Sequence, residues 1–148
     1  MINKIIVING NPENSFEAIT LTGNALYKEG CVKENFINAC IEREKNFPTG
    51  LPTEIGVAIP HCDAINVIEP AICVLRPDKP VLFEDMGGGV EPIKCQIIMN
   101  LALHKQEDQV VLLRRIINTI QDVDTIKLIK DGSEKEVIEL LMNKLEND

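Results

Sequence analysis

The chain has 148 residues, 45% of them hydrophobic, which suits one domain over residues 1–148 with its own core and argues against a disordered segment. A formal net charge of −8, four Phe, one Tyr and no Trp exclude the basic, aromatic-rich surface that binds nucleic acid. They leave open the handling of one phosphate, which needs only a local positive field. No stretch approaches the roughly 18 consecutive apolar residues of a membrane span. Met1-Ile2-Asn3-Lys4 runs straight into a strand-like segment with no signal-peptide pattern, so a cytoplasmic protein with no membrane insertion is expected. Cys31, Cys40, Cys62, Cys73 and Cys95 form no CxxC pair and read as free thiols rather than as a disulfide framework or a metal site.

In chain order, residues 4–8 are a β-branched run that predicts a strand. Asn14 and Glu17 have the spacing of a capping box for a helix over about 15–29, which Gly30 stops. A second helix is expected over about 33–45, with Phe36, Ile37, Cys40 and Ile41 on one face. A loop with Pro48 and Pro52 leads to a strand at about 55–59 that ends at Pro60-His61. Strands follow at 68–75 and 80–84, and the apolar stretch 93–103 reads as a buried strand. From Gln106 the period becomes helical, with Val110, Leu113, Ile117 and Ile120 as its stripe to about 121. Asp122 caps a short helix over 123–130, and Ser133 with Glu136 caps a last one that buries Val137, Leu140, Leu141 and Leu145. The order β-α-α-β-β-β-β-α-α-α predicts an α/β sandwich around a mixed sheet.

Only two histidines are present, His61 and His104. Pro60 fixes its own φ and restricts Ile59, so His61 leaves the strand end from a stiff backbone position. A plain surface histidine after a strand is the competing reading. Arg43 and Lys45, near the end of the second helix, suit either a phosphate or the negative end of the helix dipole. Gly87-Gly88-Gly89 lacks the Lys-Ser/Thr of a phosphate-binding loop and reads as a turn. No motif for ATP, nicotinamide or a metal is present, and no cofactor is expected.

Arg43-Glu44, Pro48-Thr49-Gly50 and Gly56-Val57-Ala58-Ile59-Pro60-His61 together resemble the phosphorylation-site signature of the fructose/mannitol-type IIA components of the bacterial sugar phosphotransferase system. The Thr49-to-Gly56 spacing, Cys62-Asp63 after the histidine, and residues 81–87 resemble the galactitol-specific branch most. The resemblance spans nearly the whole chain. It implies a three-layer, mannitol-IIA-like sandwich in which a mixed sheet is flanked by helices.

It also implies a role. His61 would accept a phosphoryl group from the phosphocarrier HPr and pass it to a cysteine of the cognate IIB component, working indirectly with the membrane IIC component in the uptake of galactitol or a similar polyol. Arg43 would stabilise the phosphate, since a guanidinium is always charged and binds two oxygens at once. Thr49, Asp63 and Asp108 are supporting candidates. Asp108 takes the column where members usually carry a second histidine, and His104, four residues earlier, is not assumed to replace it. A regulatory IIA-like protein that is phosphorylated on His61 but acts by binding other proteins is the alternative. A binding module with an inert His61 is a third. Cys62, adjacent to His61 on an extended segment, is expected to face the other way.

Overall fold

The computed structural model describes residues 2–104 and 106–146, the side chains of residues 106–108 and 146 excepted. Its strands are β1 (Lys4–Gly10), β2 (Gly50–Leu51), β3 (Gly56–Ala58), β4 (Ala71–Pro77), β5 (Val81–Phe83) and β6 (Ile93–Ala102). The helices are α1 (Ser15–Lys28), α2 (Phe36–Asn46), α3 (Gln106–Gln121), α4 (Val123–Asp131) and α5 (Glu134–Glu146). The strands form one mixed sheet in the order β1-β4-β6-β3-β2, with β5 also on β6. β1 and β4 are parallel, as are β3 and β6, whereas β4, β5 and β2 pair antiparallel with β6, β6 and β3.

Both faces of the sheet are covered, which is why the strands read as apolar runs rather than as alternations. One face, with Val57, Ile59, Ile72, Val74, Ile97, Met99 and Leu101, packs on α3, α4 and α5. The other, with Ala58, Cys73, Leu75, Cys95 and Ile98, packs on α1 and α2. The expected mixed sheet between two helical layers is therefore the observed one.

Local signals set the helix ends. Asn14 accepts from the Glu17 amide at 2.9 Å, but Glu17 reaches past the cap to the Glu13 amide at 3.1 Å, so the expected capping box is displaced by one residue. Ser133 and Glu136 form the reciprocal box, at 2.9 and 3.1 Å. Gly30, at φ 75°, ends the first helical segment in a conformation that other residues rarely adopt. Several details differ from the sequence reading: α2 starts at Phe36 rather than at about 33, β4 starts at Ala71 rather than at 68, and Leu140 is only partly buried. β2 is a two-residue strand inside the predicted proline loop. β4 runs on through Arg76 and Pro77, because their partners on the parallel β1 continue to Gly10. In α3 the core stripe is Leu112, Ile116 and Ile120, while Val110 is exposed and Leu113 and Ile117 stand at the shoulder. With seven apolar residues between 110 and 120, the helix offers two adjacent stripes, and only tertiary packing chooses between them.

The last step in positioning the site is the path of β3. Beside β6 its register shifts between Gly56 and Val57, and a Cβ at Gly56 would collide with the Lys94 carbonyl, so only glycine fits this close approach. Beyond β3 the backbone stays alongside β6: Leu101 N donates to Pro60 O at 2.9 Å, and His61 bridges to Leu101.

Candidate active site

Residues 57, 59 and 61 share one side of this extended segment, so His61 follows Val57 and Ile59 onto the α3–α5 face. It is not a surface residue. With 6% of its area exposed, it lines a recess of about 430 Å³ between the end of α2, the loop after it, Met86 and the Leu113–Ile117 shoulder of α3. The strand end thus presents His61 inside a cavity instead of on an open rim, because α2 and α3 wall it on either side.

His61 Nδ1 lies 2.8 Å from Ile59 O. A carbonyl only accepts, so Nδ1 carries the proton and Nε2 is left with the free lone pair. Burial lowers the His61 pKa from its usual value, and the nearby Arg43 charge lowers it further, against opposing pulls from the Ile59 carbonyl and from Asp63. The ring is therefore a neutral imidazole at neutral pH, with one nitrogen free to act as a nucleophile.

Arg43 lines the same recess. Its guanidinium carbon stands 5.2 Å from the centre of the Phe47 ring, four residues on and 63% exposed at the lip. Arg43 Nε is buried without a hydrogen-bond partner, which among the described residues is true of no other buried side-chain nitrogen or oxygen. A buried donor left unmatched is costly unless an acceptor comes to it. No described carboxylate lines the recess, although the whole chain carries 23 of them. Mostly apolar walls, one fixed cation and one neutral nucleophile suit an anion that arrives, reacts and leaves.

The other candidates divide. Thr49 lines the recess, but its amide and hydroxyl both donate to the carboxylate of Glu44, each at 2.8 Å. Asp63 is exposed, heads the 3₁₀ turn Ala64–Asn66, and makes no hydrogen bond to His61 among the described residues. Asp108 falls in the first turn of α3, and its side chain lies outside the described residues. His104 is exposed before α3 and does not line the recess. Cys62 points to the opposite face, in the α1–α2 core, with its sulfur 3.8 Å from Phe36 O. Among the described residues no cluster of three or more metal-ligating side chains occurs.

Sequence reasoning missed Phe47, Met86, Leu113 and Ile117 as residues that line the recess. The i,i+4 spacing of Arg43 and Phe47 at a helix end was a usable signal for the first of these. For Met86 there was none, since its place depends on the turn between β5 and β6 meeting Gly50, whose carbonyl accepts from Met86 N at 2.8 Å.

The fold is that of the mannitol-type IIA proteins. It superposes on the enzyme IIA of a mannitol-system complex with phosphorylated enzyme IIB from Escherichia coli with a TM-score of 0.76, at 24% identity and with 94% of each chain covered. The chain itself belongs to the family described as "Phosphoenolpyruvate-dependent sugar phosphotransferase system, EIIA 2", whose model matches residues 2–144. It is 32% identical over 114 residues to the galactitol-specific EIIA component of Escherichia coli, covering 76% of this chain and 75% of that protein. It is 28% identical over 140 residues to the mannitol-specific enzyme IIA component of Geobacillus stearothermophilus, covering 92% and 90%. Proteins of this family transfer phosphoryl groups within the sugar phosphotransferase system. No described helix is long and apolar enough to cross a membrane.

Proposed function

We propose that this chain is a cytoplasmic phosphocarrier in which Nε2 of His61 accepts a phosphoryl group from HPr and hands it to a cysteine of the cognate IIB component. The observation that carries this reading is the pairing, in one recess, of a neutral imidazole whose tautomer is fixed by Ile59 O with a guanidinium whose buried Nε is uncommitted. Phosphoryl transfer asks a protein mainly for in-line positioning and for charge to meet the equatorial oxygens. His61 supplies the attacking nitrogen and Arg43 the charge. The apolar walls keep water from competing for the phosphoryl group. The sugar, galactitol or a similar polyol by likeness to the galactitol-specific relative, is handled further along, at the membrane IIC component.

The test is intact-mass analysis and phosphohistidine mapping after incubation with phosphorylated HPr. One acid-labile, base-stable phosphoryl group is expected on His61, and His61→Ala abolishes it. A cognate IIB with an intact cysteine then discharges the label. Labelling of the His61→Ala protein would overturn the assignment. A His61 label that IIB never discharges would point to a regulatory role.

A further inference from the structure

Glu44 is a carboxylate with 6% of its area exposed, on the residue next to Arg43. Burial raises its pKa and the Glu84 charge adds to this, against the two Thr49 hydrogen bonds and Arg43. Burying a carboxylate is costly, and the fold does not spend this one on the neighbouring cation. Both Glu44 oxygens are taken by Thr49, Oε2 by its amide and Oε1 by its hydroxyl, at 2.8 Å each. No ion pair among the described residues joins Glu44 to Arg43.

From Thr49 the bonds continue without a break. Thr49 O accepts from Ile59 N at 3.2 Å, and Ile59 O accepts from His61 Nδ1 at 2.8 Å. Both backbone groups of Ile59 are thus committed, one to the loop that Glu44 holds and the other to the imidazole. Pro60, with no N–H and a fixed φ, ties Ile59 to His61. Gly50, next after Thr49, has its amide on Glu84 O at 3.0 Å and its carbonyl on Met86 N at 2.8 Å, so the same loop also places Met86 at the recess.

We infer that Glu44 is a positioning residue for His61, fixing the imidazole through the Glu44–Thr49–Ile59–His61 chain of hydrogen bonds. The inference rests on the phosphocarrier reading for its kinetic consequence, but not for the state of the His61 ring. Without the carboxylate, Thr49 loses both anchors, the loop no longer holds Ile59 N, and the carbonyl that fixes the tautomer is released. A reacting nitrogen displaced by even 1 Å costs about 100-fold in rate. Glutamine can stand in, with its oxygen accepting from the Thr49 amide and its NH₂ donating to the Thr49 hydroxyl oxygen.

Two measurements test this on the full chain. Single-turnover transfer from phosphorylated HPr should fall about 10- to 100-fold in Glu44→Ala, while the apparent affinity for HPr holds, and Glu44→Gln and Thr49→Ser should recover most of the rate. Nitrogen-15 NMR of the unphosphorylated protein should show His61 protonated on Nδ1 in the wild type and in Glu44→Gln, and a mixture of tautomers in Glu44→Ala. A merely structural role would leave that ring signature unchanged in folded protein. Should Glu44→Ala fail to fold, Thr49→Val, which removes one leg of the fork, is read on the same two scales. Folded variants with a wild-type rate, or with a lower rate but an unaltered tautomer, overturn the inference. If the wild type takes no label from HPr, the phosphocarrier reading falls. The NMR comparison then decides alone, with an unaltered tautomer overturning the link and a mixed one supporting it.

Discussion

Two arginines differ in their surroundings: one closes a helix end, and the other, beside His61, is the one we propose meets the phosphoryl group. Arg76, at the end of β4, sends one terminal nitrogen to the carbonyls of Ile129, Lys130 and Gly132, at 3.4, 3.4 and 2.5 Å, and so closes the C-terminal end of α4. The recess around it, about 380 Å³, has a polar lining that includes Asn9, Gln96, Lys130 and Asp131. Arg43 sits in a recess of about 430 Å³ whose walls are mostly apolar, and its buried Nε has no hydrogen-bond partner among the described residues. The volumes are alike. What differs is what each guanidinium meets. One terminal nitrogen of Arg76 already holds carbonyls at a helix end, whereas the buried Nε of Arg43, beside His61, has no acceptor among the described residues.

The largest effect that breaks the comparison belongs to Arg43. Arg43→Ala should slow phosphoryl transfer by about 2–4 kcal/mol, the range for losing one transition-state donor, or roughly 30- to 1,000-fold. Arg43→Lys should recover only part of this, because a point charge lacks the bidentate fork. Thermal unfolding should barely change. Single-turnover kinetics beside a melting curve would check both halves, and a wild-type rate in Arg43→Ala would return the residue to helix-end electrostatics.

Arg76→Ala should behave in the opposite sense. It strips the donor from carbonyls at the C-terminal end of α4 and should cost about 0.5–1.5 kcal/mol of stability, the net worth of such hydrogen bonds at a part-buried site. The transfer rate, measured well below the melting temperature, should stay at the wild-type level. Loss of transfer in a folded Arg76→Ala protein would erase the distinction between the two sites.

The distinction was only half legible in the sequence. Helix ends could be read because Asn14, Asp122, Ser133 and Gly30 act on amides and backbone angles within three or four residues of themselves. The two-faced sheet was readable from runs such as 71–75, apolar at every position. The Pro60-His61 junction and Arg43 stood out because stiffness and charge are local properties. Burial is not local. Nothing in the stretch after β3 says that His61 is roofed by α2 and α3, or that Glu44 turns inward to a loop while its neighbour Arg43 faces a recess. The choice of Leu112 and Ile116 over Leu113 and Ile117 for the core likewise depends on where the sheet lies. That Arg43 Nε has no partner among the described residues can be known only once its neighbours are in place.

The pH dependence should sharpen the account of His61 with a smaller effect. Burial and Arg43 hold its folded pKa below the unfolded value of about 6.5. The unfolded chain therefore binds the proton first as the pH falls. The stability contributed by the neutral ring is fully present above about pH 6.5 and is lost as the pH drops through the lower, folded pKa. Urea midpoints of wild type and His61→Gln between pH 8 and pH 5 should converge toward the acid end. The transfer rate should be level above about pH 6.5 and decline below it, since an imidazolium has no lone pair to attack with. A rate already half lost above pH 6.5 would mean that the ring's pKa is not lowered in the folded protein.

The smallest effect is expected at Cys62, the nucleophile next to His61 in sequence. The residues are adjacent on extended backbone, so their side chains leave opposite faces of the sheet. Cys62 lies in the α1–α2 core, 4% exposed, with its sulfur near Phe36 O and accepting from Asn66 Nδ2, each at 3.8 Å. The neighbouring Cys40 thiol lowers the Cys62 pKa. Part of that pull is offset by burial, and a thiol with a lowered pKa is the rival nucleophile to test against His61. Geometry argues against it: the Arg43 charge reaches Cys62 and lowers its pKa a little, but Cys62 lies in the α1–α2 core and does not line the recess with His61. Cys62→Ser should therefore take up phosphoryl groups to the wild-type extent, on His61, with a normal acid-labile signature. The hydroxyl has to replace sulfur contacts of 3.8 Å with a shorter bond, so a modest loss of melting temperature is the only cost expected. His104→Ala, at an exposed position outside the recess, should show not even that. If Cys62→Ser lost its label while staying folded, the two faces of the sheet would not be chemically separate, and the recess at His61 would no longer account for transfer.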